Sequence, residues 1–513
     1  MSEDSNSAIR TIFKGASIVY AGLIIQYFIS FAAQVVTANL LPAGGFGNVI
    51  TGTAVIDLGA IIGTIGLNIG LARNLPRESS RSERIKIANA AYLIAIPLSI
   101  AVALGIVLNS QYIASTIFSD QSISTSITIF GATVPFAVLY NLSTGGIRGQ
   151  EISRYRVYLR NIIQPVTRMG IISVVAIYGL GEIGFLAGYA VPYAVVGVVS
   201  TYLFTKALPG FNVIGRTDWK TVKELVDFSL PISVSNATGF VIRSSDIFLV
   251  LYFLSNEAVG AYGVVYSLSQ LVRMFSTAFN FLGMPVASKL ESDENLGDAL
   301  RVNESILRWL AVLSAPALFP MLAYPEFIIS FIYGQDYTAG SAALVVLASG
   351  FAIHNVFSPN RSLLTATGHT KTMMGNNIVT SALNLILNLV LIPQYGVLGA
   401  AIATVAAYLF RDAVVVLELR MFTGRYTVTS RVINPILIAI PTMSVMGYFA
   451  LEIEAAVYSL ILLTTCTSVV YVALVIVILG ITPEEQMLVD SVEEKYGISF
   501  WLIDKIVDQF STK

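Results

Sequence analysis

Fourteen apolar runs alternate with charged or Gly/Pro punctuation along the chain. They fall near residues 12–38, 48–71, 86–109, 125–147, 161–179, 183–206, 228–254, 258–283, 305–332, 340–366, 372–393, 397–421, 432–451 and 457–480. Most approach or exceed the roughly 20 apolar residues that a helix needs to cross a bilayer. Lipid cannot satisfy the edge of a strand, so each run is predicted to be helical. The expected fold class is an all-α polytopic membrane protein with fourteen transmembrane helices.

The positive charges set an orientation. With the first span starting from the inside, Lys and Arg collect in alternate connections, in groups such as Arg73, Arg77, Arg81, Arg84 and Lys86, or Arg148, Arg154, Arg156 and Arg160. The opposite connections hold none and carry acids instead, including Asp120, Glu182, Glu257, Asp336 and Glu452. Both termini are therefore predicted to be cytoplasmic, with the protein multi-pass in the cell membrane.

The runs also repeat. Phe46-Gly47 opens the second span and Tyr262-Gly263 the eighth, 216 residues later; Tyr178-Gly179 and Tyr395-Gly396 punctuate later spans at an interval of 217. Spans 1–6 and 7–12 thus read as two parallel six-helix repeats forming two lobes, related by an axis along the membrane normal, with two extra C-terminal helices. The boundaries expected are a cytoplasmic tail over 1–11, an N-lobe over 12–206, a cytoplasmic linker over 207–227, a C-lobe over 228–421, the added pair over 432–480 and a cytoplasmic amphipathic tail over 481–513. In that tail Thr482, Pro483 and Glu485 form a helix start. Phe500 and Trp501 beyond it suit either a membrane-interface helix or a cap on the bundle.

Composition sharpens the class. The chain is 55% hydrophobic and 12% charged, with mean hydropathy +0.75, against about 25% charged residues in soluble domains. A net charge of −1 gives no reason to expect a nucleic-acid partner. The single cysteine excludes an internal disulfide, and two histidines without His or Cys neighbours disfavour a zinc or haem site. GHTKTMMGNN lacks phosphate-loop spacing, and no paired-carboxylate, Ser–His or Cys–His cluster suggests catalysis. No cofactor and no enzymatic activity are expected.

Chemistry concentrates where charge is costly. Four of the 30 basic residues, Arg168, Arg243, Arg273 and Arg361, lie within spans, as do Asp57 and Asp246. A charge at mid-membrane costs about 2.5–3.5 kcal/mol on insertion scales and normally faces a protein interior or a wet cavity. Arginine keeps its proton and presents a fork of donors matched to phosphate oxygens. These arginines are read as a binding site for an anionic headgroup. Local neutralisation is the alternative: Arg243 and Asp246 are three apart on one helix and can pair, and Arg361 can snorkel towards the interface. Asp246 and Asp57 are the candidate coupling or cavity carboxylates, and Asp57 is alternatively a salt-bridge partner of a nearby arginine. By the repeat it stands ten residues after Gly47, as Arg273 stands ten after Gly263. That places both on an expected inter-lobe cavity.

Several stretches carry a family resemblance. They are FKGASIVYAGLIIQYFISFAAQVVTANLLPAGGFG, LSNEAVGAYGVVYSLSQLV, FIYGQDYTAGSAALVVLASG and NLILNLVLIPQYGVLGAAIATVAAYLF. Together they resemble the polysaccharide-transport branch of the multidrug/oligosaccharidyl-lipid/polysaccharide exporter superfamily, with the opening stretch similar to archaeal members. The resemblance covers spans 1–12. It implies a Wzx-type flippase that moves a lipid-linked sugar from the cytoplasmic to the outer leaflet by alternating access. In an archaeal member the carrier would be a dolichyl phosphate of protein glycosylation. Membrane lipid and glycan-assembly enzymes are the partners it implies. Arg168, Arg243 and Arg273 are the positions whose depth suits the cationic cavity. Two other functions compete: a cation-coupled multidrug or metabolite exporter of the same superfamily, and a membrane glycosyltransferase.

Overall fold

The apolar runs fold as helices that end at their Gly, Pro and charged punctuation. The computed structural model describes residues 23, 25–292 and 296–480, and all regular secondary structure among them is helical. The amino-terminal tail, the start of the first span and the tail containing Trp501 lie outside the described residues.

The helices run in order as α1 (25–40), α2 (Ala43–Thr64), α3 (Leu67–Asn74), α4 (Arg81–Leu108) and α5 (Ser124–Gly149). Next, α6 starts as Ser153–Val157, passes through a π-helical turn over Tyr158–Ile163 and continues as Gln164–Tyr178. Then follow α7 (Gly181–Ala207), α8 (Trp219–Phe253), α9 (Asn256–Ser292) and α10 (Leu296–Ala323). The remainder are α11 (Pro325–Tyr333), α12 (Ser341–Phe357), α13 (Pro359–Ala366), α14 (Thr370–Thr423), α15 (Ser430–Glu452) and α16 (Val457–Leu479). Among the described residues, eleven helical segments are long and apolar enough to cross a membrane.

Three runs differ from the sequence reading, and proline or glycine accounts for each. The run at 305–332 breaks between α10 and α11, because Pro325 starts a new helix and disfavours helical geometry at Tyr324. The run at 340–366 breaks at Ser358, ahead of Pro359. The run at 48–71 breaks at Ile65-Gly66, where both residues take positive φ, 37° and 77°. The runs at 372–393 and 397–421 are two helices meeting at a kink within α14, at Gly396, whose φ of 60° and ψ of −137° are non-helical and suit glycine.

The chain forms two compact units. One holds the described residues up to Ser267 with Ile329–Ala343 and Asn377–Ala407; the other holds Leu268–Ile328, Leu344–Asn376 and the described residues from Tyr408. In the first unit α5 is central and packs against α2, α4 and α7. A glycine face on α2 permits this: a Cβ at Gly52, Gly59 or Gly63 would fall 2.1–2.7 Å from Phe130, Val134 or Val138, each fully buried. Small residues that let helices approach closely are how membrane helices gain packing without a hydrophobic drive between them. In the second unit α10 packs on α15 and α16, and the Tyr471 hydroxyl donates to the Pro435 carbonyl at 3.2 Å.

Candidate functional site

The first unit encloses a cavity of about 520 Å³. Its most regular wall is α6. Arg156, Arg160, Gln164 and Arg168 recur every four residues and all line the space. In a regular α-helix each four-residue step drifts by about 40°. The intervening π-helical turn, bonded i to i+5, takes up part of that drift and keeps the stripe on one face. Across from it, α5 contributes Tyr140, Asn141, Thr144 and Arg148. Helix α2 contributes Asp57, α7 contributes Tyr193 and α8 contributes Arg243. Five arginines therefore face one aspartate.

The charges fall into two groups. Arg156 lies within electrostatic reach of Arg160, Arg148 and the Tyr140 hydroxyl. Asp57 interacts with Arg243 and Arg168, and Tyr193 lies close to Asp57, Arg168 and Gln164. The Arg168 guanidinium sits 4.7 Å from the Tyr189 ring centre, a cation–π contact. Its Nε, together with Gln26 Oε1 and Asn68 Oδ1 on the cavity wall, has no hydrogen-bond partner in the protein. Each keeps unused hydrogen-bonding capacity, and a buried polar group left unpaired costs free energy.

Asp57, Arg168 and Arg243 thus share one cavity. Arg148, Arg156 and Arg160 join them, although their sequence positions served above only to mark orientation. The four-residue spacing from Arg156 to Arg168 was the available signal. Asp246 is turned elsewhere. It is fully buried, accepts hydrogen bonds from the hydroxyls of Tyr262 and Thr404 and from the Ile247 N–H, and is not the neutralising partner of Arg243. Close by, Asn388 donates to Asn384 Oδ1 at 3.2 Å.

Arg273 and Arg361 belong to the second unit. The Arg273 guanidinium lies 5.1 Å from the Phe351 ring centre and 5.6 Å from that of Tyr408. Arg361 interacts with Arg411, Asp412 and Arg273. Beside them His354 Nδ1 and Asp412 Oδ2 are 2.5 Å apart, both buried. Among the described residues no group of three or more His, Cys, Asp or Glu side chains could hold a metal ion.

A second polar feature of the first unit lies at the start of α2, nine residues before Asp57 and about 13 Å along the helix. Asn48 donates to Glu182 Oε1 at 2.6 Å, and Asn256 donates to Asn48 Oδ1 at 2.8 Å and to the Gly44 carbonyl at 2.7 Å. Ser126 completes the network by donating to the Asn48 carbonyl at 2.6 Å. The amino-terminal ends of α2, α5, α7 and α9 are tied together here.

Helices of spanning length around an arginine-rich cavity define a multi-pass membrane protein with an internal arginine-lined surface. The family model for polysaccharide biosynthesis proteins matches residues 36–342. The chain belongs to that family, within the polysaccharide-transport branch of the multidrug/oligosaccharidyl-lipid/polysaccharide exporter superfamily. Two relatives come from Haloferax volcanii. The probable low-salt glycan biosynthesis flippase Agl15 is 25% identical over 38% of this chain, which spans 41% of that relative's length. The probable flippase AglR is 22% identical over 76% of this chain and 80% of its own. Among solved structures, lipid II flippase MurJ in an inward closed conformation superposes with a TM-score of 0.70 at 14% identity, covering 90% of this chain and 99% of MurJ. An inward-facing multidrug resistance transporter of the MATE family superposes with a TM-score of 0.62 at 14% identity, covering 79% of this chain and 98% of its own. At these identities the structural likeness establishes the fold.

Proposed function

We propose that this protein is a flippase for a lipid-linked glycan, carrying the phosphate–sugar head of a polyprenyl or dolichyl phosphate carrier from the cytoplasmic to the outer leaflet by alternating access. The observation that carries this reading is the cavity of about 520 Å³ with five arginines and one aspartate. A lipid phosphate cannot cross hydrocarbon unaided, for the same electrostatic reason that a bare arginine cannot. Guanidinium groups in a polar cavity replace its hydration with charge-assisted hydrogen bonds. The flippase activity for which Agl15, AglR and MurJ are named supports the same class of activity. In this reading the chain has fourteen spans, two six-helix lobes and two added helices, both termini are cytoplasmic, and Arg273 and Arg361 meet the cargo during the cycle.

Deleting the gene should cause the lipid-linked glycan to accumulate in the inner leaflet, as read by mass analysis of leaflet-accessible lipid. Wild-type protein should clear it, and Arg160→Gln or Arg168→Gln protein made at the same level should not. Purified protein that consumed a nucleotide sugar would sink the flippase reading in favour of a glycosyltransferase.

A second reading, a cation-coupled exporter, draws on Asp57 in the cavity and on the MATE-like fold. It requires cationic cargo or coupling ions to bind at Asp57. Asp57→Asn separates the two: a flippase of anionic heads keeps its hold on anionic cargo, whereas an exporter of this kind loses cation binding.

A further inference from the structure

We infer that the cargo carries a second negative charge on its sugar, separated from the lipid phosphate: the cavity holds the phosphate at Arg148, Arg156 and Arg160 and an acidic sugar group at Arg168 and Arg243. This rests on the flippase reading and narrows its substrate class from lipid-linked glycans in general to acidic ones.

The first support is length. From Arg156 to Arg168 the stripe covers twelve residues, about 15–18 Å along the helix axis. Long side chains on a helix all lean towards its amino terminus, so arginines at the two ends shift in the same direction and do not converge. Arg243 illustrates the lean on α8, its Nη1 lying 3.5 Å from where a Cβ of Gly239, one turn earlier, would be. Because N⁺–H···O⁻ contacts close at about 2.7–2.9 Å, one phosphate cannot engage both ends of the stripe.

The second support is grouping. Arg156 interacts with Arg160 and Arg148, and no carboxylate is among its own strongest charged neighbours. Arg148 ends α5 and Arg156 lies in the first turn of α6, where a lipid phosphate arrives at interfacial depth. Arg168 and Arg243 lie well inside their helices, and Asp57 interacts with both. Tyr193, Gln164 and Asn141 line the same space and supply the neutral hydrogen-bonding and aromatic surface that a sugar ring uses. A neutral sugar gives the inner arginines no anionic partner other than Asp57; a carboxylate or sulfate on the sugar does.

The test uses full-length protein in detergent and two synthetic cargoes on the same polyprenyl phosphate, one bearing glucose and one glucuronic acid. Wild-type protein should bind the glucuronic acid cargo about tenfold more tightly. Arg168→Gln and Arg243→Gln should reduce that ratio to about one, whatever their absolute affinities, with Arg168→Lys restoring part of it. The double variant Arg156→Gln/Arg160→Gln should weaken both cargoes alike and keep the ratio. Monodisperse elution and an unchanged melting profile identify variants that fold. Equal binding of the two cargoes by wild type, or a ratio that survives Arg168→Gln, overturns the inference while leaving the flippase reading standing. Failure to bind either cargo overturns both.

Discussion

Replacing Gly47 by alanine tests the packing that ties α2 to the start of α9. The new Cβ would lie 2.0 Å from the Asn256 carbonyl oxygen and 2.7 Å from Asn256 Oδ1, where ordinary contact begins at 3.4 Å. A backbone carbonyl cannot rotate away as a side chain can, so the two helix ends must part by roughly 1.4 Å. That separation carries the bonds from Asn256 to Asn48 Oδ1 and to the Gly44 carbonyl, at 2.8 and 2.7 Å, beyond useful length. Two lost hydrogen bonds at about 0.5–1.5 kcal/mol each, with overpacking at about 1–3 kcal/mol, outweigh the gain of about 0.5–1 kcal/mol from removing a helical glycine. The net expectation is a destabilisation of about 1–5 kcal/mol. Gly105 of α4 is the matched control, because a Cβ there meets nothing within 4 Å, and Gly105→Ala should be neutral or slightly stabilising. Thermal unfolding of both variants in one detergent, followed by helical circular dichroism, gives the comparison. If Gly47→Ala melts at or above Gly105→Ala, the close contact and its network do not contribute as argued.

Other outcomes follow from the same physical terms. Arg160→Gln should weaken binding of a polyprenyl phosphate head about 10- to 100-fold, the equivalent of about 1.5–3 kcal/mol for a hydrogen bond to a charged group, and should flatten the salt dependence of binding. Asp246→Ala should cost more stability than Asp246→Asn, because it strands the buried hydroxyls of Tyr262 and Thr404, at about 1–3 kcal/mol for an unsatisfied group; paired denaturation curves check this. Gly396→Ala should destabilise by about 1–3 kcal/mol, since its φ of 60° with ψ of −137° strains an L-residue, and Gly375→Ala, open around its Cβ, is the comparison.

The sequence made the helices legible because a membrane helix must satisfy its backbone alone, leaving a long apolar run with punctuated ends. It was less informative where one run splits into two helices, as at Gly66 and Pro325, because a glycine or proline permits either outcome and packing decides. The costly charges were visible too: Asp57, Arg168 and Arg243 stand out by depth and meet in one cavity. Arg148, Arg156 and Arg160 were hidden by their location. A basic residue near a helix end serves the positive-inside rule equally well whether it faces water, lipid headgroups or a cavity. Their four-residue register with Gln164 and Arg168 was readable, but the π-helical turn that keeps it on one face was not. Local spacing also misled at Asp246. Three residues from Arg243 suffices for pairing, yet the Tyr262 and Thr404 hydroxyls from other segments take the carboxylate.

The most direct measurement of the central claim is transport in liposomes containing only this protein and a fluorescent glycan on a polyprenyl carrier, scored by access of a membrane-impermeant quencher. Glycan linked through phosphate should change leaflets with wild-type protein and stay in place with Arg160→Gln/Arg168→Gln protein, while the same glycan on phosphate-free polyprenol should not move. Equal movement of the phosphate-linked and phosphate-free lipids, or undiminished movement by the double variant, would contradict the assignment of the arginine cavity to an anionic head.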